Sequence, residues 1–246
     1  MKFLEHFGKY ILMLSAMFTR PEKVGMYMKE TIRQVYSIGI GSMLIIAIIS
    51  TFLGAVTAVQ FTYQLADIGY IPMWWMGLIV RNSLILEMAP TITALMLAGK
   101  VGSNIASELG SMRVSEQIDA LEIMGVNTNA YLIGPKIIGG LFSIPFLVIL
   151  AVFLGLIGGV LVGPMGNFYS ITEFVRGMQD GHDPYSVFIM IIKSIVFALI
   201  ITTVSAYQGF YVKGGALEIG AASTRAVVNS SIIIIIANFI IAFLFL

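Results

Sequence analysis

"GSMLIIAIISTFLGAVTAVQF", residues 41–61, contains no charged side chain, and the uncharged run around it extends from residue 34 to residue 66. About 20 mostly apolar residues in a helix cross a hydrocarbon core of roughly 30 Å, so this stretch alone points to a membrane. Three other tracts repeat the pattern. Residues 137–172 are uncharged, 184–212 carry only Lys193, and 226–246 are uncharged. Residues 73–99 are weaker, because Arg81 and Glu87 interrupt them and Pro90 invites a kink. They still count as a span, since neighbouring helices can satisfy the backbone groups that a proline frees. The composition agrees, at 58% hydrophobic and 11% charged residues with a mean hydropathy of +0.95. Soluble domains carry about 25% charged residues.

The sequence therefore predicts an all-α integral membrane protein with five transmembrane helices, at about 36–62, 73–100, 137–163, 184–210 and 226–246. Residues 1–33 form a separate N-terminal region ahead of a membrane domain over 34–246. In that region Phe3, Leu4, Phe7, Tyr10, Ile11, Leu14, Met17 and Phe18 recur at i, i+3, i+4 and i+7, with Lys2, Glu5, His6 and Lys9 opposite. The pattern fits an amphipathic helix lying in the membrane interface, or one packed on a soluble partner. Arg20-Pro21 is expected to end it. The opening "MKFLEHFGKYILML" lacks the unbroken apolar core of a secretory signal and is expected to remain on the chain.

Orientation follows from basic residues. With the N-terminus inside, eleven of fourteen lysines and arginines fall on the cytoplasmic side, leaving Arg81 and Arg176 outside and Lys193 within a span. The positive-inside rule then predicts N-in and C-out.

Several function classes drop out. There is no cysteine, and two histidines are too few for a histidine-rich metal centre. His182, in the outer loop "QDGHDPYS", reads as a surface histidine. A net charge of +1 gives no footing for nucleic acid. No HExxH or GxSxG occurs, and "AGKVGS" (98–103) lacks the spacing and hydroxyl of a phosphate-binding loop. No internal repeat supports an inverted-repeat carrier. Catalytic and metal sites are expected to be absent.

Charges inside a bilayer cost about 3 kcal/mol on insertion scales and normally face the protein interior with a partner. Glu87 lies 12 residues beyond Trp75 and Lys193 lies 8 beyond Tyr185, about 18 Å and 12 Å along their helices. Both spans run outside to inside, so the two groups are expected to meet, and Asn238 reaches the same zone from the other side. A substrate cavity and a purely structural ion pair are both compatible with that arrangement.

The charged insert "SELGSMRVSEQIDALEIMGVN" (107–127) separates spans 2 and 3. Ser115 is a candidate N-cap, Ile118, Leu121 and Met124 share one face, Glu116, Asp119 and Glu122 share the next, and Gly125 suits a helix stop. From periodicity alone the insert is equally a solvated loop helix or a docking element.

"APTITALMLAGKVGSNIASELGSMRVSEQIDALEIMGVN" (89–127) resembles the signature region of the MlaE family, the permease subunits of bacterial ABC transporters that work with MCE proteins to move lipids between membranes. "IIKSIVFA" (191–198) and "ASTRAVVNSS" (222–231) continue the resemblance in the family's order. The resemblance implies that the insert is a coupling helix seated on a cytoplasmic ATPase through Arg113, Glu116, Asp119, Ala120, Leu121, Glu122 and Gly125. "DALEIMG" (119–125) also looks like the EAA-x-x-x-G loop of ABC importers, as an analogy of role. Positions matching Glu87 and Lys193 are polar groups near the family's lipid cavity, whereas the position of Asn238 is acidic in some relatives. The resemblance further implies a homodimer in the bacterial inner membrane, partner ATPases that bind ATP and magnesium, a periplasmic MCE protein, membrane lipids as substrate, and often a small regulatory subunit. No cofactor is expected in this chain itself. The rival readings are an ATP-independent lipid scramblase or carrier and a structural anchor for an MCE protein.

Overall fold

The computed structural model describes residues 2–17, 24–68, 72–181 and 183–245. Phe18, the expected helix stop at Arg20-Pro21, and His182 lie outside them. The described residues are almost entirely helical, and five helices are long and apolar enough to cross a membrane: Gly25–Leu65, Trp75–Val114, Asn129–Gly166, Pro184–Phe210 and Ala216–Phe245. These spans 1 to 5 match the five expected tracts, and span 4 has the expected bounds. Spans 1, 2 and 3 overrun theirs, and span 5 starts at Ala216, ten residues before its expected start. The helix of span 1 is already under way at Val24, inside the expected N-terminal region, because nothing in 24–35 breaks an α-helix.

The elements are α1 (Lys2–Ala16), α2 (Val24–Val35), α3 (Gly41–Ile68), α4 (Trp75–Ser83), α5 (Ala89–Leu97), α6 (Ser103–Val114), α7 (Gln117–Ile123), α8 (Gly134–Gly166), α9 (Ile171–Gln179), α10 (Pro184–Phe210) and α11 (Ala216–Phe245). π-helical turns at Tyr36–Ile40, Leu84–Met88 and Ala98–Gly102 join successive α segments within spans 1 and 2, and a fourth, Asn129–Ile133, opens span 3. Span 4 is central and packs against spans 2, 3 and 5, while span 1 lies along span 3.

Backbone contact holds spans 1 and 3 together. A Cβ on Gly54 would stand 1.8 Å from the Gly155 carbonyl oxygen, and one on Gly158 would stand 2.0 Å from that of Thr51. Small residues permit this approach where helices share a membrane. Gly155 takes part in this contact, whereas Gly159 and Gly163 leave room for the rings of Phe174 and Tyr169.

At one end of the bundle, α9 packs against α4. Ser170 and Glu173 form a reciprocal capping box at its start, and both the backbone N–H and the hydroxyl of Ser170 hold the Glu173 carboxyl below its usual range. Tyr169, just ahead, donates to the Gly159 carbonyl at 2.5 Å, and burial pushes its phenol up to about 12. Arg81, which weakened the reading of span 2, is buried here. It donates to the carbonyls of Met178, Asp180 and Gly181 at 2.6–2.9 Å, where the C-terminal end of α9 presents free acceptors.

At the other end, α1 docks on span 4. His6 Nδ1 lies 2.7 Å from the Tyr207 hydroxyl, and Tyr10 donates to Thr203 Oγ1 at 2.7 Å. Met13 is buried while Leu4, Phe7 and Ile11 stay exposed on the outer face. Lys136 is buried too, and pairs with Glu108 at 2.5 Å.

The glycine contacts yield a direct expectation. Gly54→Ala and Gly158→Ala should each cost about 1–3 kcal/mol by forcing two backbones apart. Gly8→Ala, which meets no atom within 4 Å, should cost nothing. Thermal unfolding of the detergent-solubilised protein separates these outcomes, and equal melting temperatures for all three would refute the contact.

Candidate functional site

The site begins with a proline. Pro90 has no N–H, so the carbonyl four residues earlier, that of Leu86, has no helical donor. The chain answers with the π-helical turn Leu84–Met88, and π-turns inside α-helices are frequent at functional sites. Lys193 Nζ donates to that same Leu86 carbonyl at 2.8 Å and to Glu87 Oε1 at 2.6 Å. Asn238 Nδ2 donates to the other carboxylate oxygen, Glu87 Oε2, at 2.9 Å. Spans 2, 4 and 5 therefore meet at one carboxylate, and the three polar residues singled out in the sequence converge.

Burial across the pair is unequal. Lys193 is fully buried, whereas the side chain of Glu87 keeps 43% of its surface exposed. The ammonium is locked inside and the carboxylate opens outward. Asn238 Oδ1 and Thr91 Oγ1 are buried with no hydrogen-bond partner among the described residues. The half-exposed carboxylate thus has unsatisfied polar atoms on the same two spans, Thr91 lying one turn beyond it. Sequence reasoning missed Thr91 and the Leu86 carbonyl, although Pro90 marked the latter.

The second group of expected residues lies between spans 2 and 3. Span 2 continues as α6 to Val114, and the chain then reverses. Ser115 does not cap α7: its hydroxyl donates back to the Ser111 carbonyl at 2.7 Å and so closes α6. Glu116 is the cap position instead, with a left-handed backbone (φ 59°) and no side-chain cap bond. Gly125 (φ 80°) ends α7 as expected. Its N–H reaches the Glu122 carbonyl and that of Val126 reaches Leu121, the paired bonds of a Schellman stop.

Within this turn Arg113 Nη1 lies 2.7 Å from Asp119 and 3.8 Å from Glu122, and its guanidinium stands over the Phe210 ring. Glu122 also accepts from Thr128 at 3.3 Å. Asp119 and Glu122 are thus partly turned back onto the bundle. Ile118 is buried as the anchor, and Leu121 is half-buried. The outward surface is Ala120, Glu116 and, missed in the sequence reading, Ile123 and Met124, which are 87% and 68% exposed. The i+3 spacing that grouped Met124 with Ile118 ignored the helix end at Ile123.

Five membrane-spanning helices around an interior carboxylate, with a short reversed helix hung from spans 2 and 3, define a multi-span helical membrane protein of the permease type. Residues 31–244 match the family described as Permease MlaE, and the chain belongs to that family. A probable ABC transporter permease protein of Rickettsia bellii is 35% identical over 242 residues, 97% of this chain and 91% of that protein. The intermembrane phospholipid transport system permease protein MlaE of Haemophilus influenzae is 32% identical over 215 residues, 85% of this chain and 80% of that one. The chloroplastic protein TRIGALACTOSYLDIACYLGLYCEROL 1 of Arabidopsis thaliana is 31% identical over 217 residues, covering 88% and 61% respectively.

The unequal burial predicts unequal costs. Glu87→Ala strands a buried ammonium and should destabilise by about 3–5 kcal/mol. Lys193→Met bares the neutral Leu86 carbonyl and leaves a carboxylate that water and Asn238 can still reach, and should cost less than a stranded charge. The double variant should recover most of the stability lost in Glu87→Ala. Denaturation of the three proteins in one detergent checks the order.

Proposed function

We propose that this chain is the permease subunit of an ATP-driven lipid transporter, moving phospholipid between the bacterial inner membrane and an MCE protein on its outer face. The observation that carries the reading is the Glu87 carboxylate, held at mid-span by Lys193 and Asn238 and open on its far side. A carboxylate buried for structure alone would have all its lone pairs covered. This one is fixed in geometry and still available, as a group must be to meet an ammonium, hydroxyl or water at a headgroup. The name of the Haemophilus influenzae relative supports phospholipid as the cargo.

Basic residues support the orientation. Lys9, Lys29, Arg33, Lys100, Arg113, Lys136, Lys213 and Arg225 belong to the α1 and α7 end of the bundle or to the segments entering it. That end is therefore read as cytoplasmic, with N-in and C-out. A homodimer would set two such bundles around one apolar cavity, and the exposed apolar faces of α3 and α11 offer the material for it. ATP and magnesium belong to separate ATPase subunits, on which a small regulatory subunit can sit. In this reading α7 is the coupling helix. Ile123, Met124 and Ala120 enter the ATPase groove, Glu116 lies at its edge, and the Arg113 pairs with Asp119 and Glu122 keep the helix firm, with Leu121 and Gly125 fixing its pose.

Two experiments test this. Glu87→Gln, which keeps an acceptor for Lys193, should leave the assembled complex intact while ATP-dependent transfer of labelled phospholipid from proteoliposomes falls at least about tenfold. An unassembled complex would instead assign the pair a structural role, and transfer that persists without ATP would favour a scramblase. Ile123→Asp combined with Met124→Asp should leave the permease folded and abolish co-purification of the ATPase. An ATPase still bound would remove α7 as its docking element.

A further inference from the structure

At the α7 end, a pocket of about 460 Å³ opens between the start of span 1 and the later half of span 2. That volume falls within the roughly 300–1,000 Å³ of ordinary ligand sites. Gln34, Ser37, Ser42, Lys100, Ser103, Asn104 and Ser107 supply its polar lining; no carboxylate is among the described residues that line it, and Glu30 just outside it is engaged by the Gln34 amide at 2.9 Å. π-helical turns border both walls, Tyr36–Ile40 on one and Ala98–Gly102 on the other.

Two side chains give the pocket its chemistry. Lys100 is exposed, and its ammonium donates to the Gly41 carbonyl, which places the charge beside the next residue, Ser42. The Ser42 hydroxyl is fully buried and has no partner among the described residues. Other hydroxyls of the same helix behave differently. Thr51, Thr57 and Thr62 each donate to the carbonyl four residues back, at 2.7–2.8 Å. Ser42 lies just past a π-turn and makes no such bond. An unmade bond at a buried hydroxyl costs about 1–3 kcal/mol, which an outside acceptor would recover.

A cation, a buried free hydroxyl and further hydroxyl and amide donors, with no opposing carboxylate, suit a compact anion rich in acceptor oxygens. Lysine is a common point-charge partner of phosphate. Location chooses the source. Lys100 lies 13 residues beyond Glu87 on the same span, about 20 Å along it, at the level where one leaflet carries its headgroups. We infer that this pocket binds the phosphate of a phospholipid headgroup, with the Lys100 ammonium and the Ser42 hydroxyl as donors. It is a second lipid contact on the permease, about 20 Å from Glu87 along span 2, and its existence does not depend on the reading of Glu87.

The test uses the whole complex in cells grown on radiolabelled phosphate, with a photo-crosslinking amino acid at Ser107. Ultraviolet light should attach a label to the permease that a phospholipase removes. Lys100→Met should lower the label about tenfold, the equivalent of about 1.4 kcal/mol. Ser42→Ala should lower it as well, while raising the melting temperature of the delipidated protein, because a costly unpaired hydroxyl is gone. Glu87→Gln should leave it unchanged, which separates this site from the transport site. The inference is overturned by an absent label while a crosslinker at the exposed Phe239 acquires one, or by a label unaltered in either pocket variant. A label that resists phospholipase and is displaced by excess inorganic phosphate would make this a free-phosphate site and also overturn it. Should Lys100→Met not accumulate, Ser42→Ala decides alone.

Discussion

The carbonyl of Leu86 is the point on which the bundle turns. Pro90 deprives it of a helical donor, and an acceptor left bare in an apolar interior is costly. Lys193 is the side chain that reaches it. Burying an ammonium is itself unfavourable by several kcal/mol unless charge and hydrogen bonds are matched. Glu87, one residue on, provides the match. Each defect is thus cancelled by the next, and the chain of compensation fixes the register of span 4 against span 2. Asn238 then fixes span 5 against both. Few side chains take part, which is why so oily a protein can have a defined interior.

Much of this is legible in the sequence. The five spans stood out because hydrocarbon thickness imposes a length that apolar runs must meet. The convergence of Glu87, Lys193 and Asn238 was legible for a related reason. With so few charges inside the spans, the number of possible partners was small. What escaped the sequence reading was decided by backbone bonding. Nothing in the composition says that span 2 continues through Ser103–Val114 before reversing. The Ser115 hydroxyl could serve the helix behind it or the helix ahead, and it serves the one behind. π-turns leave no compositional mark, and so the pocket beside Ser42 was invisible. Arg81 reads as an interruption of span 2, yet it is buried against carbonyls supplied by an element distant in sequence.

Membership in the MlaE permease family gives span 2 a particular interest. One helical run of 40 residues carries Glu87 about a third of the way along and Arg113 near its end, where the guanidinium grips α7. Displacement of α7 and the placement of the carboxylate are therefore connected through a single element, without any relay of side chains. The run is not uniform, however. Leu84–Met88 and Ala98–Gly102 depart from α geometry, one at the carboxylate and one between it and α7.

The backbone contacts between spans 1 and 3 complete that contrast. Where Gly54 meets Gly155 and Gly158 meets Thr51, no side chain intervenes that could rotate to absorb a shift. Close-packed backbones slide or separate only at the cost of many dispersion contacts at once. Spans 1 and 3 are therefore stiffly joined where these backbones meet, whereas span 2 carries two departures from α geometry between its start and α7. If α7 is displaced, as the proposed coupling requires, span 2 is the element that links it to the carboxylate, and the contact between spans 1 and 3 is the one least able to follow.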